Sequence, residues 1–149
     1  MTKEKAGKTG APAPGFQDEA PLPLSERMRR GDLFSVACPS REVLKHATSR
    51  WGVLVLLGLS EGTFRFAELR RKVGGVSEKM LSQTLQLLEA DGLVARRSYP
   101  VVPPHVEYSL TELGCEAGER VRELADWIEV NMPRIAEAQA RVRPCEAAE

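Results

Sequence analysis

The period of the apolar positions changes several times along the chain, and each change marks an element. Between Cys38 and Ala47, residues Val43, Leu44 and Ala47 recur at helical spacing. Pro39 suits the first helical position, where its missing N–H would be unpaired anyway. Trp51 to Ser60 is apolar on nearly every side, through Trp51, Val53, Leu54, Val55, Leu56, Leu57 and Leu59. Such a run fits a strand as well as a buried helix; its length and a cap at Thr48 or Ser49 favour the helix. Gly62 ends it, and Thr63 to Phe66 reads as an extended segment that can pair as a short strand.

A short third helix is expected over Ala67 to Val73, with Leu69 and Val73 inward and Arg70, Arg71 and Lys72 mostly outward. Gly74 and Gly75 make a tight turn. Ser77 caps a fourth helix running to about Ala90, which Gly92 closes in the left-handed conformation. Its inward residues are Leu81, Leu85 and Leu88, flanked by Met80 or Leu87; Glu78, Lys79, Ser82, Gln83 and Gln86 face outward. Leu93 to Tyr99 and His105 to Leu110 alternate as strands about a stiff Pro100 to Pro104 loop whose three prolines exclude helix. Thr111 caps a last helix with Glu112 in its first turn. Its apolar stripe is Leu113, Ala117, Val121, Leu124, Ile128, Met132 and Ile135, and Pro133 is expected to kink or end it.

Composition narrows the class. The chain has 149 residues, 42% hydrophobic and 28% charged, a globular balance that excludes collagen-like, membrane and wholly disordered types. The longest apolar run, Val53 to Leu57, falls far short of a bilayer span, and no secretory signal is visible. Residues 1–30, rich in Pro, Gly, Ala and Lys, read as a disordered arm, with Ser25 to Arg30 able to form one helical turn. One folded domain is expected over residues 38–140, with a frayed tail over 141–149. Cys38, Cys115 and Cys145 form no disulfide framework, consistent with a reducing, cytoplasmic setting.

The net charge is zero but uneven. Gly62 to Tyr99 carries seven bases and four acids, whereas Thr111 to Glu149 carries five bases and nine acids. A basic middle suits an anionic partner.

Helix, glycine turn, helix and hairpin in that order make a winged helix-turn-helix, a mainly α fold with a small β-hairpin. In such a unit the second helix of the pair enters the major groove of DNA and the hairpin reaches the flanking backbone or minor groove. Ser77, Lys79, Met80, Ser82, Gln83 and Gln86 on the fourth helix are the candidate DNA-facing surface: the amide and hydroxyl groups, Ser82 and Gln83 above all, offer donors and acceptors to base edges, and Lys79 can reach a phosphate or a guanine. Arg70, Arg71, Lys72, Arg96 and Arg97 flank it where phosphates would run, with His105 as a further phosphate contact. The long last stripe exceeds the needs of one small domain and points to a homodimer on a roughly palindromic operator. Winged helices also serve as protein-binding modules without DNA.

The segments RFAELRR, GVSEKMLSQTLQLLEADGLV and YPVVPPHVEYSLTELG, with CPSREVLKHATSRWGVLVLLGL before them, resemble the HxlR-type transcriptional regulators. The resemblance covers about Cys38 to Met132. It implies a dimeric bacterial winged-helix regulator of MarR-like architecture with N- and C-terminal dimerisation helices, a recognition helix over Ser77 to Glu89 and a wing over Val94 to Leu110. The chain departs from the family pattern at four places. His105 stands for a wing arginine, and Thr48, Ser49 and Arg50 stand for Gly-Gly-Lys. Gln86 replaces a basic residue, and Ala67 takes the place of an asparagine-like cap, which weakens the expected start of the third helix.

Cys38 precedes Pro39 at a helix start, where unpaired N–H groups and the helix dipole favour a thiolate. The resemblance implies a candidate redox or electrophile sensor at this place, beside the alternatives of a small-molecule effector and of an inert structural cysteine. Cys115 and Cys145 read as inert. His46 reads as a surface histidine. His46, His105 and the cysteines lack ligand spacing, so no metal is expected. No cofactor loop or nucleophile motif is present, and a thiol-dependent redox enzyme built on Cys38 would lack a base and a pocket. No enzyme activity is expected.

Overall fold

A computed structural model describes residues 33–142; the arm over residues 1–30, its helical turn at Ser25 to Arg30, and the tail from residue 143, Cys145 included, lie outside the described residues. Before the first helix, Leu33 to Cys38 forms turns in which Ser35 accepts from the N–H groups of Ala37 (on Oγ, 3.4 Å) and Cys38 (on the carbonyl, 3.2 Å).

The body begins at Pro39. Its elements are α1 (Pro39–Thr48), α2 (Arg50–Leu59), β1 (Phe64–Arg65), α3 (Phe66–Val73), α4 (Glu78–Ala90), β2 (Val94–Tyr99), β3 (His105–Leu110) and α5 (Glu112–Val142). The ambiguous Trp51 run is a helix, and Ser49 rather than Thr48 caps it, its Oγ accepting from Gly52 N–H at 3.1 Å. The buried residues of α2, Val55, Leu56 and Leu59, form the centre of the core with Leu69, Val76, Leu81, Leu85, Leu88, Leu93 and Val94.

The expected hairpin belongs to a three-stranded antiparallel sheet of order β1-β3-β2, because Phe64 and Arg65 pair with Tyr108 and Glu107. Phe66, expected to be extended, instead opens α3. The doubt attached to Ala67 is resolved by one side chain: Arg65 is the N-cap, and the Glu68 carboxylate accepts its N–H at 2.9 Å. Glutamate three residues after the cap is half of a capping box and satisfies an otherwise orphan donor.

Gly92 (φ +78°) closes α4, with Leu93 N–H donating to Leu88 O at 2.9 Å and Gly92 N–H to Glu89 O at 3.0 Å. This left-handed closure turns the chain directly into β2. Thr111 is tied to the same corner. Its N–H donates to Leu93 O at 3.1 Å and its Oγ1 to Gly92 O at 2.6 Å, and that hydroxyl also accepts from Gly114 N–H at 3.0 Å.

The tie settles which face of α5 turns inward. Leu113, expected inward, is 60% exposed; Gly114, Ala117, Gly118 and Val121 cover the core instead. A Cβ at Gly114 would stand 1.9 Å from Leu93 O, so only glycine permits that approach. The rest of the stripe is open, with Leu124 at 56% and Ile128 at 39% exposure. Pro133 does not end α5, which continues through Ala136, Glu137, Ala138, Gln139 and Ala140, mostly strong helix formers, to Val142. The first two residues of the expected tail, Arg141 and Val142, are therefore helical.

Candidate nucleic-acid interface

The turn between α3 and α4 is built by its glycines. Gly74 (φ +51°) and Gly75 (φ +82°) take left-handed conformations that L side chains rarely adopt, and Gly74 N–H donates to Arg70 O at 3.2 Å. Ser77 then accepts Met80 N–H on its Oγ at 3.1 Å and starts α4. Arg70 spans the turn, with Nε donating to Val76 O at 3.3 Å and Nη1 standing 3.1 Å from Glu78 Oε1. The concave surface at the turn, about 730 Å³, is lined by Phe66, Ala67, Arg70, Arg71 and the run Gly74 to Glu78. It places exposed backbone and the Arg71 guanidinium beside the amino end of α4.

The faces of α4 separate by helical period. Leu81, Thr84, Leu85 and Leu88 are buried; Lys79, Gln83 and Gln86 share the opposite, exposed face. Thr84 is a core polar residue that periodicity alone overlooks, its hydroxyl donating to Met80 O at 2.7 Å. Ser82, expected outward, is half-buried on one flank. Met80 and Leu87, at 40% and 37% exposure, share the other flank, where they face α1 and α2 across a cavity of about 150 Å³.

The cations that look equivalent in the sequence are not equivalent in the fold. Arg70 is committed to the turn. Lys72 pairs with Glu61 and lies 5.6 Å from the Phe64 ring centre. Arg71 and Lys79 are exposed and form no ion pair among the described residues.

The wing repeats this division. Successive residues of a strand point to opposite faces, so Arg96 and Arg97 diverge. Arg97 lies over the Tyr99 ring at 4.9 Å, Tyr99 stacks on His105 at 4.6 Å between centroids, and His105 Nε2 is 3.4 Å from Glu107 Oε1. The Glu107 carboxylate also accepts from the Tyr99 hydroxyl and raises that phenol above its ordinary range, helped by desolvation and opposed by the Arg97 charge. Arg97 and His105 thus belong to a cross-strand cluster, while Arg96 on the other face is exposed and unpaired among the described residues.

His46 is not the surface residue expected from the sequence. Its side chain is 15% exposed and meets Asp91, at the carboxyl end of α4, at 2.7 Å. Cys38 is buried, at 5% exposure, directly before α1, and Cys115 is exposed on α5. No group of three or more His, Cys, Asp or Glu side chains is placed to hold a metal among the described residues. No helix among them is long and apolar enough to cross a membrane.

Three comparisons bear on this arrangement. The family model described as HxlR-like helix-turn-helix matches residues 47–136, which contain α2 through most of α5. The chain is 65% identical over 112 residues to the uncharacterized HTH-type transcriptional regulator YtfH of Escherichia coli K12, covering 75% of this chain and 89% of that one. Among solved structures, ytfH from Salmonella typhimurium matches with a TM-score of 0.69 at 64% identity, covering 72% of this chain and 96% of that one. The redox regulator HypR in its oxidized form matches with a TM-score of 0.58 at 38% identity, covering 63% and 97%.

Proposed function

The chain belongs to the HxlR-like helix-turn-helix family of transcriptional regulators, and from that premise we propose that it binds double-stranded DNA sequence-specifically as a homodimer. The observation that carries this reading is the exposed face of α4, where Gln83 and Gln86 project beside Lys79, together with the exposed Arg71 and Arg96, which form no ion pair among the described residues. Amides are suited to bidentate contact with adenine edges, and the flanking cations to phosphates. Ser77 and Met80 are near enough to the same groove to add contacts. Arg70 acts chiefly by shaping the turn, Lys72 by tying α3 to Glu61, and Arg97 and His105 by shaping the wing. The open stripe of α5, with Trp127 at 57% exposure beside Leu124 and Ile128, is the surface for the second copy. Two recognition helices related by a two-fold axis then require a roughly palindromic operator.

The test is selection of bound duplexes from random DNA by the full chain. Enrichment of a two-fold sequence supports the reading. Retention of no duplex, with capture of a protein partner instead, would favour the alternative of a protein-binding winged helix.

A thiol response through Cys38 is a second proposal. Its support is the position directly before Pro39 and the likeness to the redox regulator HypR. Burial requires that the thiol be uncovered before it reacts. Operator affinity with and without a thiol oxidant, in the parent and in Cys38→Ser, decides it; equal values in all four conditions would leave any effector non-covalent.

A further inference from the structure

His46 and Asp91 are 45 positions apart in the chain, yet His46 Nδ1–H donates to Asp91 Oδ2 at 2.7 Å with both side chains largely buried, at 15% and 12% exposure. The bond joins α1 to Asp91, the residue that caps the carboxyl end of α4. None of the residues of α1 is buried, and Val43 and Leu44 are 38% and 46% exposed. The seam between α1 and α4 contains the cavity of about 150 Å³ lined by Lys45, His46, Ser49, Trp51, Met80, Gln83, Thr84 and Leu87. The seam is open to solvent there, so its lining side chains make fewer of the dispersion contacts that set a packing angle.

The chemistry of the pair fits a tie. Asp91 is the C-cap of α4, where unpaired carbonyls make the negative end of the helix. A carboxylate there is unfavourable unless a donor opposes it, and His46 supplies one. On the other side of the ring, Nε2 lies 3.8 Å from Glu42 Oε2, one turn earlier on α1. The His46 carbonyl accepts from Ser49 Oγ at 2.9 Å, so the same residue also secures the corner between α1 and α2.

We propose that His46 is a positioning residue for DNA recognition: through Asp91 it sets the angle of α4 on α1, and so the separation of the two recognition helices in the dimer. The proposal rests on the DNA-binding reading above. A helix of 13 residues is about 20 Å long, so a tilt of about 10° displaces one end by about 3 Å, close to the rise of one base pair.

The experiment uses the full chain and duplexes built from the site that the parent selects, with the two halves at the native separation and one base pair closer or farther apart. The parent should prefer the native separation. His46→Leu should lose about tenfold on it, about 1.4 kcal/mol, and bind the three separations within about threefold of one another, with affinity for a shuffled duplex unchanged. His46→Gln, which keeps an N–H donor, should restore the preference. Asp91→Ala, breaking the tie from the other side, should repeat the Leu result, and serves if His46→Leu does not fold. A purely structural role would weaken every duplex alike; that result, or an unchanged preference in the folded variants, overturns the proposal. Failure of the parent to select any duplex would instead overturn the DNA-binding reading, and this inference with it.

Discussion

Arg70 Nη1 stands 3.1 Å from Glu78 Oε1 across the turn that joins α3 to α4, so a cation of the basic segment is spent inside the protein, whereas its neighbour Arg71 is not. The two should therefore respond differently to the same change. If Arg71 contacts one phosphate per protomer, as proposed, Arg71→Ala should flatten the dependence of log affinity on log salt by about 2 for the dimer. Arg70→Ala should change that slope little and lower folding stability, by about 0.2–1 kcal/mol for the exposed ion pair and somewhat more with the Val76 bond. Salt titrations and thermal melts of both variants check the assignment.

Gln83, on the exposed face of α4, should read a base. Gln83→Ala is expected to relax preference at one position of each half-site, at about 1–3 kcal/mol, and leave the salt slope unchanged. Affinities for duplexes substituted singly at each position measure this.

The wing carries a titration signature. Tyr99 is raised above its ordinary 10.0 first by the hydrogen bond to Glu107, so the folded phenol releases its proton at higher pH than the unfolded one. The sign follows: this contribution to stability is complete below the unfolded value and is lost as pH rises through the folded one. Glu107→Gln should lower the Tyr99 titration, and Arg97→Ala should raise it further. Tyrosinate absorbance in a Tyr108→Phe background reads both.

The seat of α5 is set by glycine. Gly114→Ala would put a Cβ 1.9 Å from the Leu93 carbonyl oxygen, a backbone atom that cannot turn aside, and should cost about 3 kcal/mol. Gly118→Ala meets Ser60 Oγ at 2.9 Å, the end of a side chain that can shift, and gains about 1 kcal/mol of helix propensity, so it should be near neutral. Denaturant midpoints at constant slope compare the two; equal losses would contradict this account of the corner.

The helix-turn-helix was legible in the sequence because its signals are local. Ser77, the glycine pair and Gly92 fix the ends of α4 within a few residues, and Leu81, Leu85 and Leu88 reveal its inner face. The partnering of side chains was not legible. Arg70, Arg71 and Lys72 look alike until Glu78 and Glu61 are brought beside two of them, and His46 looks exposed until the fold carries Asp91 to it. The stripe of α5 misled at Leu113 because one continuous period crosses two environments. The face that packs inward is chosen by Gly114 and Gly118, which carry no hydrophobic signal.

On the proposed function, α4 reads sequence. The most direct test of this reading compares the affinity of the full chain for its selected duplex and for a shuffled duplex of the same composition, at one stated salt concentration near physiological. Binding to the selected duplex should be at least about 10³-fold tighter, with two chains on each duplex and half-sites about one helical turn apart or a small multiple of it. Equal affinity for the two duplexes, or saturation by one chain, would contradict it.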